Sequence, residues 1–243
     1  MSLALGLTIA IGGCLLVGAG LVWMVVWLRR DYSQSEAEFM ALLQEECARR
    51  SWQFEERNDA YADWFSSLPR VPYVGIPDPL WINPRAAGAR NIVTGVYRGR
   101  RFIAAQFQVY QVNPAIDGNW WTYVRVHMPA PRPGLVVKKV VGPTNAVNRA
   151  LGWDHASYGD PEFDRRFEVS ADDQRFAADV LHTRMQRFLV DEQRPFRGLV
   201  MVGDVIDVVG DQQNEHRDPR QLIPALDLRC DILDLVPDTV WAH

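Results

Sequence analysis

The chain opens on an apolar run, Leu3 to Leu28, that contains no charged residue. As a helix its 26 residues would extend about 39 Å at 1.5 Å per residue, against a hydrocarbon core of roughly 30 Å, so the run predicts a transmembrane helix with some tilt. No Lys or Arg precedes it and no A-x-A site follows, which favours an uncleaved anchor over a signal peptide. The pattern then takes on a helical period. Ser35-Glu36-Ala37-Glu38 reads as a capping box, and Phe39, Leu42, Leu43 and Cys47 recur on one side of a helix expected to run to about Arg50. From Leu68 to Pro84 the prolines Pro69, Pro72, Pro77, Pro79 and Pro84 forbid continuous helix and predict an extended connection.

A period of two dominates the middle. Ile92 to Tyr97 and Phe102 to Val112 flank Arg98-Gly99-Arg100, which predicts a hairpin. Asp117-Gly118 supplies a second turn. The next strand puts Trp121, Tyr123, Arg125 and His127 on one face and Thr122, Val124, Val126 and Met128 on the other. Pro129, Pro131 and Pro133 are expected to break the sheet before a strand resumes at Leu135 to Val141. Phe163, Arg165, Phe167 and Val169 alternate with charged residues and predict another strand. Ser170 and Asp173 then form a capping box for a helix carrying Ala177, Val180, Leu181, Arg184, Met185 and Phe188 along one side. Gly198 to Gly210 predicts a hairpin turning near Gly203-Asp204, and Pro224 to Val236 a helix with Ala225, Leu228, Ile232 and Leu235 inward.

The elements add up to an α+β fold: an N-terminal transmembrane helix, then a largely antiparallel sheet packed with two or three amphipathic helices. The expected division is a transmembrane anchor over 1–30, a juxtamembrane helix and Pro-rich connection over 31–84, and an α+β domain over 85–243.

Charge refines this picture. The net charge of −4 is spread without a block of like sign, so no nucleic-acid partner and no polybasic tail is indicated. Arg29 and Arg30 close the apolar run, and the positive-inside rule places the C-terminal domain in the cytoplasm of a single-pass plasma-membrane protein. Trp23, Trp27 and Tyr32 suit an interfacial belt at the same end. With Cys47 and Cys230 the only cysteines after the anchor, there is no disulfide framework.

Candidate chemistry is sparse. His155, Ser157 and Asp160 lie close in sequence, but no G-x-S-x-G frames Ser157, and the stretch reads as a loop before a strand. The histidines His127, His155, His182, His216 and His243 show no metal-ligand spacing, and Glu215-His216 with Asp218 reads as a solvated loop. Gly95 and Gly99 lack phosphate-loop spacing and belong to the hairpin. Hence no catalytic residue, metal or cofactor is assigned. Arg98, Arg100 and Arg101 are candidates for contact with anionic lipid head groups. Within the anchor, Gly6, Ala10, Cys14 and Gly18 recur every fourth residue with Gly13 and Gly20 beside them, a groove suited to packing against a second copy or another membrane protein.

The anchor together with "TGVYRGRRF", "GDPEFDRRFEVSADDQRFAADVL" and "LDLRCDILDLVP" resembles a group of bacterial single-pass membrane-anchored proteins with a domain of unknown function, over roughly Val93 to Pro237. The resemblance implies a scaffold signature around Phe163 to Leu181 and supplies no catalytic residue. The expected function is an interaction or scaffold module, held by the bilayer at the cytoplasmic face, where tethering raises the concentration of surface partners. Two alternatives stay open: a membrane-bound hydrolase using the acidic region near His155, and the same domain displayed in the envelope outside the membrane.

Overall fold

The computed structural model describes residues 38–69, 85–109, 120–140, 157–210 and 216–242, together with Trp23. Among these residues no helix is long and apolar enough to cross a membrane. The Leu3–Leu28 run, Trp23 excepted, lies outside the described residues, as do its small-residue positions Gly6, Ala10, Gly13, Cys14, Gly18 and Gly20, most of the Pro-rich connection, and His155.

The α+β class and the antiparallel sheet expected from the sequence are what the structure has. Six strands form one sheet: β1 (Gln53–Arg57), β2 (Ala86–Tyr97), β3 (Arg100–Val109), β4 (Trp120–Lys139), β5 (Phe167–Ala171) and β6 (Gly198–Val209). They are ordered β1-β2-β3-β4-β5, with β6 also pairing with β4. Every pairing is antiparallel. The β2–β3 hairpin turns at Arg98 (φ 48°) and Gly99 (φ 79°), the two positive φ values that a tight two-residue hairpin turn requires.

The helices are α1 (residues 38–50), α2 (Ala60–Ser67), α3 (Pro161–Arg166), α4 (Gln174–Val180), α5 (Thr183–Asp191) and α6 (Pro219–Leu235). One face of the sheet carries the main core. There Val93, Phe102, Ala104, Val124, Val126 and Ile206 meet Leu43 and Cys47 of α1 and the apolar side of α6. The other face is covered by α2, whose Phe65 stacks on Phe107 with ring centroids 4.3 Å apart. Both faces of the central strand are thus buried, as its two-sided sequence requires. Residues 53–57, ahead of position 85, belong to this sheet as β1, and Trp52 is part of the main core.

Several local expectations are corrected. Pro129, Pro131 and Pro133 do not end the strand: β4 runs through them to Lys139. Its register with β6 shifts between His127 and Arg132 and again before Leu135, so the prolines occupy an irregular stretch where the ladder needs no donor. Gly198 to Gly210 is one strand rather than a hairpin. Gly203, at φ 57°, opposes Arg132 at that irregularity.

Phe163 to Arg166 is helix rather than strand. The Asp160 carboxylate accepts from the amides of Glu162 (2.9 Å) and Phe163 (3.3 Å), Pro161 sits at the first helical position, and Glu162 pairs with Arg165 and Arg166 along the turn. The expected long helix after Ser170 is two helices, α4 and α5, broken at Leu181-His182. Its cap is Asp173, which accepts from Arg175 (2.8 Å) and Phe176 (3.2 Å). Finally, α6 starts at Pro219 under an Asp218 cap, before the expected Pro224. His216, Arg217 and Asp218 are buried there instead of solvated, with the His216 ring nitrogen on the Asn91 carbonyl at 2.5 Å.

Candidate functional site

The strand registers lay out a cleft on the α2 face of the sheet. Thr94 pairs with Gln53 on one side and Ile103 on the other, and Ile103 pairs with Arg125, which pairs with Asp207. In the next row of the same face, Val96 pairs with Arg101 and His127 with Val205. Arg101 and His127 each follow the Phe102–Val126 pair outward on neighbouring strands. From these two rows Gln53, Thr94, Ile103, Val96, Arg101 and His127 form the floor of a cleft of about 900 Å³. Tyr61 and Trp64 of α2 form one wall, and Arg50 and Ser51, where α1 ends, form another part of the rim. Helix α2 is short, so it covers the face over Phe107 and Tyr123 and leaves these rows open.

The character of the floor changes along the sheet. Under Phe65 the same face presents Ala89, Ile92, Ala105 and Phe107, all buried. Beyond α2 it presents Gln53, Thr94, Arg101 and His127 beside Val96 and Ile103. His127 Nδ1 lies 2.8 Å from Asp204 Oδ2, with the imidazole beside the Trp64 indole at a centroid distance of 6.2 Å. An Nδ1–H donated to a carboxylate leaves Nε2 as the acceptor of the neutral ring. Nε2 has no partner among the described residues. Tyr61 donates to Glu55 at 3.1 Å, and burial followed by that bond raises its phenol pKa above the ordinary value.

Next to the floor, where Phe65 covers the sheet, lies a buried charged trio. The Arg229 guanidinium donates to Val124 O (2.5 Å), Ala225 O (2.7 Å), Val208 O (2.8 Å) and Asp207 Oδ1 (2.7 Å). It thereby ties α6 to β4 and β6 where their ladder ends. Arg125 Nε stands 3.6 Å from Asp207 Oδ2, with its guanidinium 4.2 Å from the Phe65 ring centroid. Burial lowers the pKa of both guanidiniums, opposed by Asp207. Two cations against one carboxylate leave an excess positive charge in the core next to the cleft.

The three arginines singled out from the sequence separate. Arg98 reaches Asp231 (2.6 Å) and Asp234 (2.5 Å), and Arg100 reaches Asp234 (2.6 Å), so both are ion-paired to α6. Arg101 points to the opposite face of β3, as strand alternation demands, and lines the cleft. It is exposed and has no side-chain partner among the described residues. Ser157 donates to Asp164 at 2.5 Å, which orders the approach to α3. Among the described residues there is no cluster of side chains able to hold a metal ion. The cleft itself was missed in the sequence because its residues come from five strands and two helices. The one readable signal was His127, on the same face as Arg125 in a stretch, 120–128, whose other residues apart from Thr122 are apolar.

No protein-family model matches the chain, and no curated protein matches its sequence. Among solved structures, that of the mycobacterial trehalose monomycolate transport factor A, TtfA, aligns over 82% of this chain and 96% of its own with a TM-score of 0.46 and 13% sequence identity, a likeness too slight to assign a family or an activity.

Proposed function

We propose that this chain is a membrane-tethered binding module whose α+β domain works at the cytoplasmic face of the plasma membrane and uses the cleft beside Trp64 as its recognition site. The observation that carries the reading is the switch along one sheet face from purely apolar residues to a mixture of polar and apolar ones. Packing of α2 against Ala105 and Phe107 stabilises the fold, whereas Thr94, Arg101 and His127 face an open concavity and contribute little to it. Polar groups placed around an apolar wall are what a ligand site needs for orientation. The uncharged Leu3–Leu28 run supports the tether, and Arg29-Arg30 supports the orientation.

The test is a thermal-shift screen of the full chain in lipid nanodiscs against a small-molecule library. A ligand at a hundred times its Kd adds about 2.7 kcal/mol to stability. Hits on the wild type that vanish in Thr94→Arg, with the fold checked by circular dichroism, support the reading. Hits indifferent to Thr94→Arg, or no hit at all, would remove it.

The His127–Asp204 bond favours a second reading, hydrolysis with His127 as general base and Asp204 holding its tautomer. Turnover of activated esters that is lost in His127→Ala would carry it. Turnover no greater than in buffer would end it.

A further inference from the structure

We infer that the cleft takes an anionic amphiphile: a carboxylate or phosphate head group received by Arg101, with an apolar body against Val96, Ile103 and Trp64. This rests on the reading of the cleft as the recognition site. Three observations lead to it.

The first is placement. Arg101 and His127 are the next residues outward from the Phe102–Val126 pair, on adjacent strands and on one face. Opposed residues of an antiparallel pair have Cβ atoms about 4.5–5.5 Å apart, so the Arg101 guanidinium and the His127 ring border one part of the cleft.

The second is charge. The ionised residues of the lining are Arg50, Arg101 and Asp204. Arg50 is turned to Glu46 (3.1 Å) and to the rings of Trp52 and Tyr97, and Asp204 is engaged by His127. Arg101 is thus the cation left for a ligand, and the buried Arg125–Asp207–Arg229 trio, whose Arg125 and Asp207 lie on strands that continue into the cleft lining, carries one net positive charge. The lining holds both signs, and the Arg101 guanidinium draws an anionic head group to its end of the cleft.

The third is the apolar side. Val96 is 56% exposed, one of two large apolar side chains so exposed among the described residues, and it stands at the cleft. With Ile103 and the Trp64 indole it offers a surface for hydrocarbon, and about 900 Å³ is ample for a ligand of that size.

The test uses the full chain in nanodiscs of zwitterionic phosphatidylcholine, titrated calorimetrically with octanoate, octanol and inorganic phosphate, with empty discs as reference. Octanoate is expected to bind saturably, octanol at least tenfold more weakly, and phosphate alone not measurably. Arg101→Gln, an exposed position, should weaken octanoate about tenfold while leaving octanol unchanged. Val96→Glu should weaken octanoate more than Val96→Lys does. Equal binding of octanoate and octanol, or indifference to Arg101→Gln, overturns the anionic head group while the cleft reading stands on its own screen. Octanoate binding that survives Thr94→Arg places the ligand elsewhere and overturns both. Repeating the titration in discs containing phosphatidylglycerol assigns the source: a tenfold loss of octanoate affinity identifies a bilayer lipid as the occupant, and no loss identifies a dissolved one.

Discussion

Trp52 lies so close to Gly95 that a Cβ at Gly95 would stand 2.3 Å from the indole Cδ1. The indole is held there on every side. Its Nε1 donates to Val96 O at 3.0 Å, its ring meets Phe102 edge-on at 4.8 Å, and the Arg50 guanidinium lies 5.3 Å from its centroid. Gly95→Ala is therefore expected to overpack the junction of α1 with the β2–β3 hairpin and to destabilise the fold by about 1–3 kcal/mol, about 3–10 °C in Tm. Differential scanning calorimetry reads this directly. An unchanged Tm would mean the indole can turn aside without loss.

The buried trio gives a sharper ordering. Removing Asp207 leaves Arg125 and Arg229 facing each other without their carboxylate, whereas removing Arg229 leaves a pair that still neutralises itself. Breaking one side of a buried ion pair costs about 3–5 kcal/mol. Asp207→Ala is expected at or above the upper end of that range, and Arg229→Met below it because a long apolar side chain keeps the packing. Urea midpoints of the two variants decide the order. The reverse order would show that the backbone carbonyls held by Arg229 matter more than the charge balance.

What could be read in the sequence and what could not divides along physical lines. The β2–β3 hairpin was legible because Gly99 and the flanking apolar runs are local signals. The two faces of β4 were legible from alternation, but that both would be buried was not, because the covering helix α2 precedes β4 by more than fifty residues. At Phe163, the alternation with Arg165 and Phe167 suggested a strand, and Asp160-Pro161 with the Glu162–Arg166 spacing, which favours a helix, outweighed it. Phe163 in α3 and Phe167, the first residue of β5, still stack, at 4.9 Å, within the main core. His127 and Asp204 could not be joined in advance. They are 77 positions apart, and their meeting depends on the register of β6 against β4.

The cap at Asp160 can be tested by itself. Its carboxylate satisfies two amides of α3, and its own amide donates to Gln186 Oε1 at 3.2 Å, which links α3 to α5. Asp160→Ala is expected to lose about 0.5–2 kcal/mol, with Asp160→Asn recovering most of it. Chemical denaturation of the three proteins checks this. Equal loss in Asn and Ala would show that the charge rather than the cap matters.

Stability should also depend on pH through the network at α6. Burial pushes the Asp231 carboxyl up, but hydrogen bonds and charge from Arg98 and Arg194 outweigh it and hold the group below its ordinary value. A pKa lowered by folding contributes stability that is complete above the unfolded value, about 3.9, and is lost as pH falls through the folded one. Asp231→Asn should therefore lower Tm at pH 7, with the gap to wild type closing below about pH 4. A gap of constant size down to pH 3 would contradict it. Tyr97 acts at the other end. Burial, then its bond to Asp227 at 2.8 Å, pushes its phenol up to about 12. Its contribution is present below the ordinary value, about 10, and is lost as pH rises through the folded one.

The two thiols of the domain bear on which side of the membrane it lies. Cys47 is 8% exposed between α1 and the sheet, Cys230 is fully buried on α6, and burial raises the pKa of both, which disfavours the reactive thiolate. In the folded protein neither is expected to react appreciably with a charged maleimide over minutes, and both should react after denaturation. Silence from these residues in intact cells therefore carries no information about topology. A cysteine added after His243 does, because it lies beyond α6 and the turn at Asp238–Trp241 that ends the described fold. For a domain in the cytoplasm, that thiol stays unlabelled by a membrane-impermeant reagent in intact cells and labels once they are opened. Labelling in intact cells would reverse the orientation drawn from Arg29 and Arg30 and move the cleft's ligand to the envelope. Rapid labelling of Cys230 in the native protein would instead show that α6 opens, and would weaken the case that Arg229 pins it to the sheet.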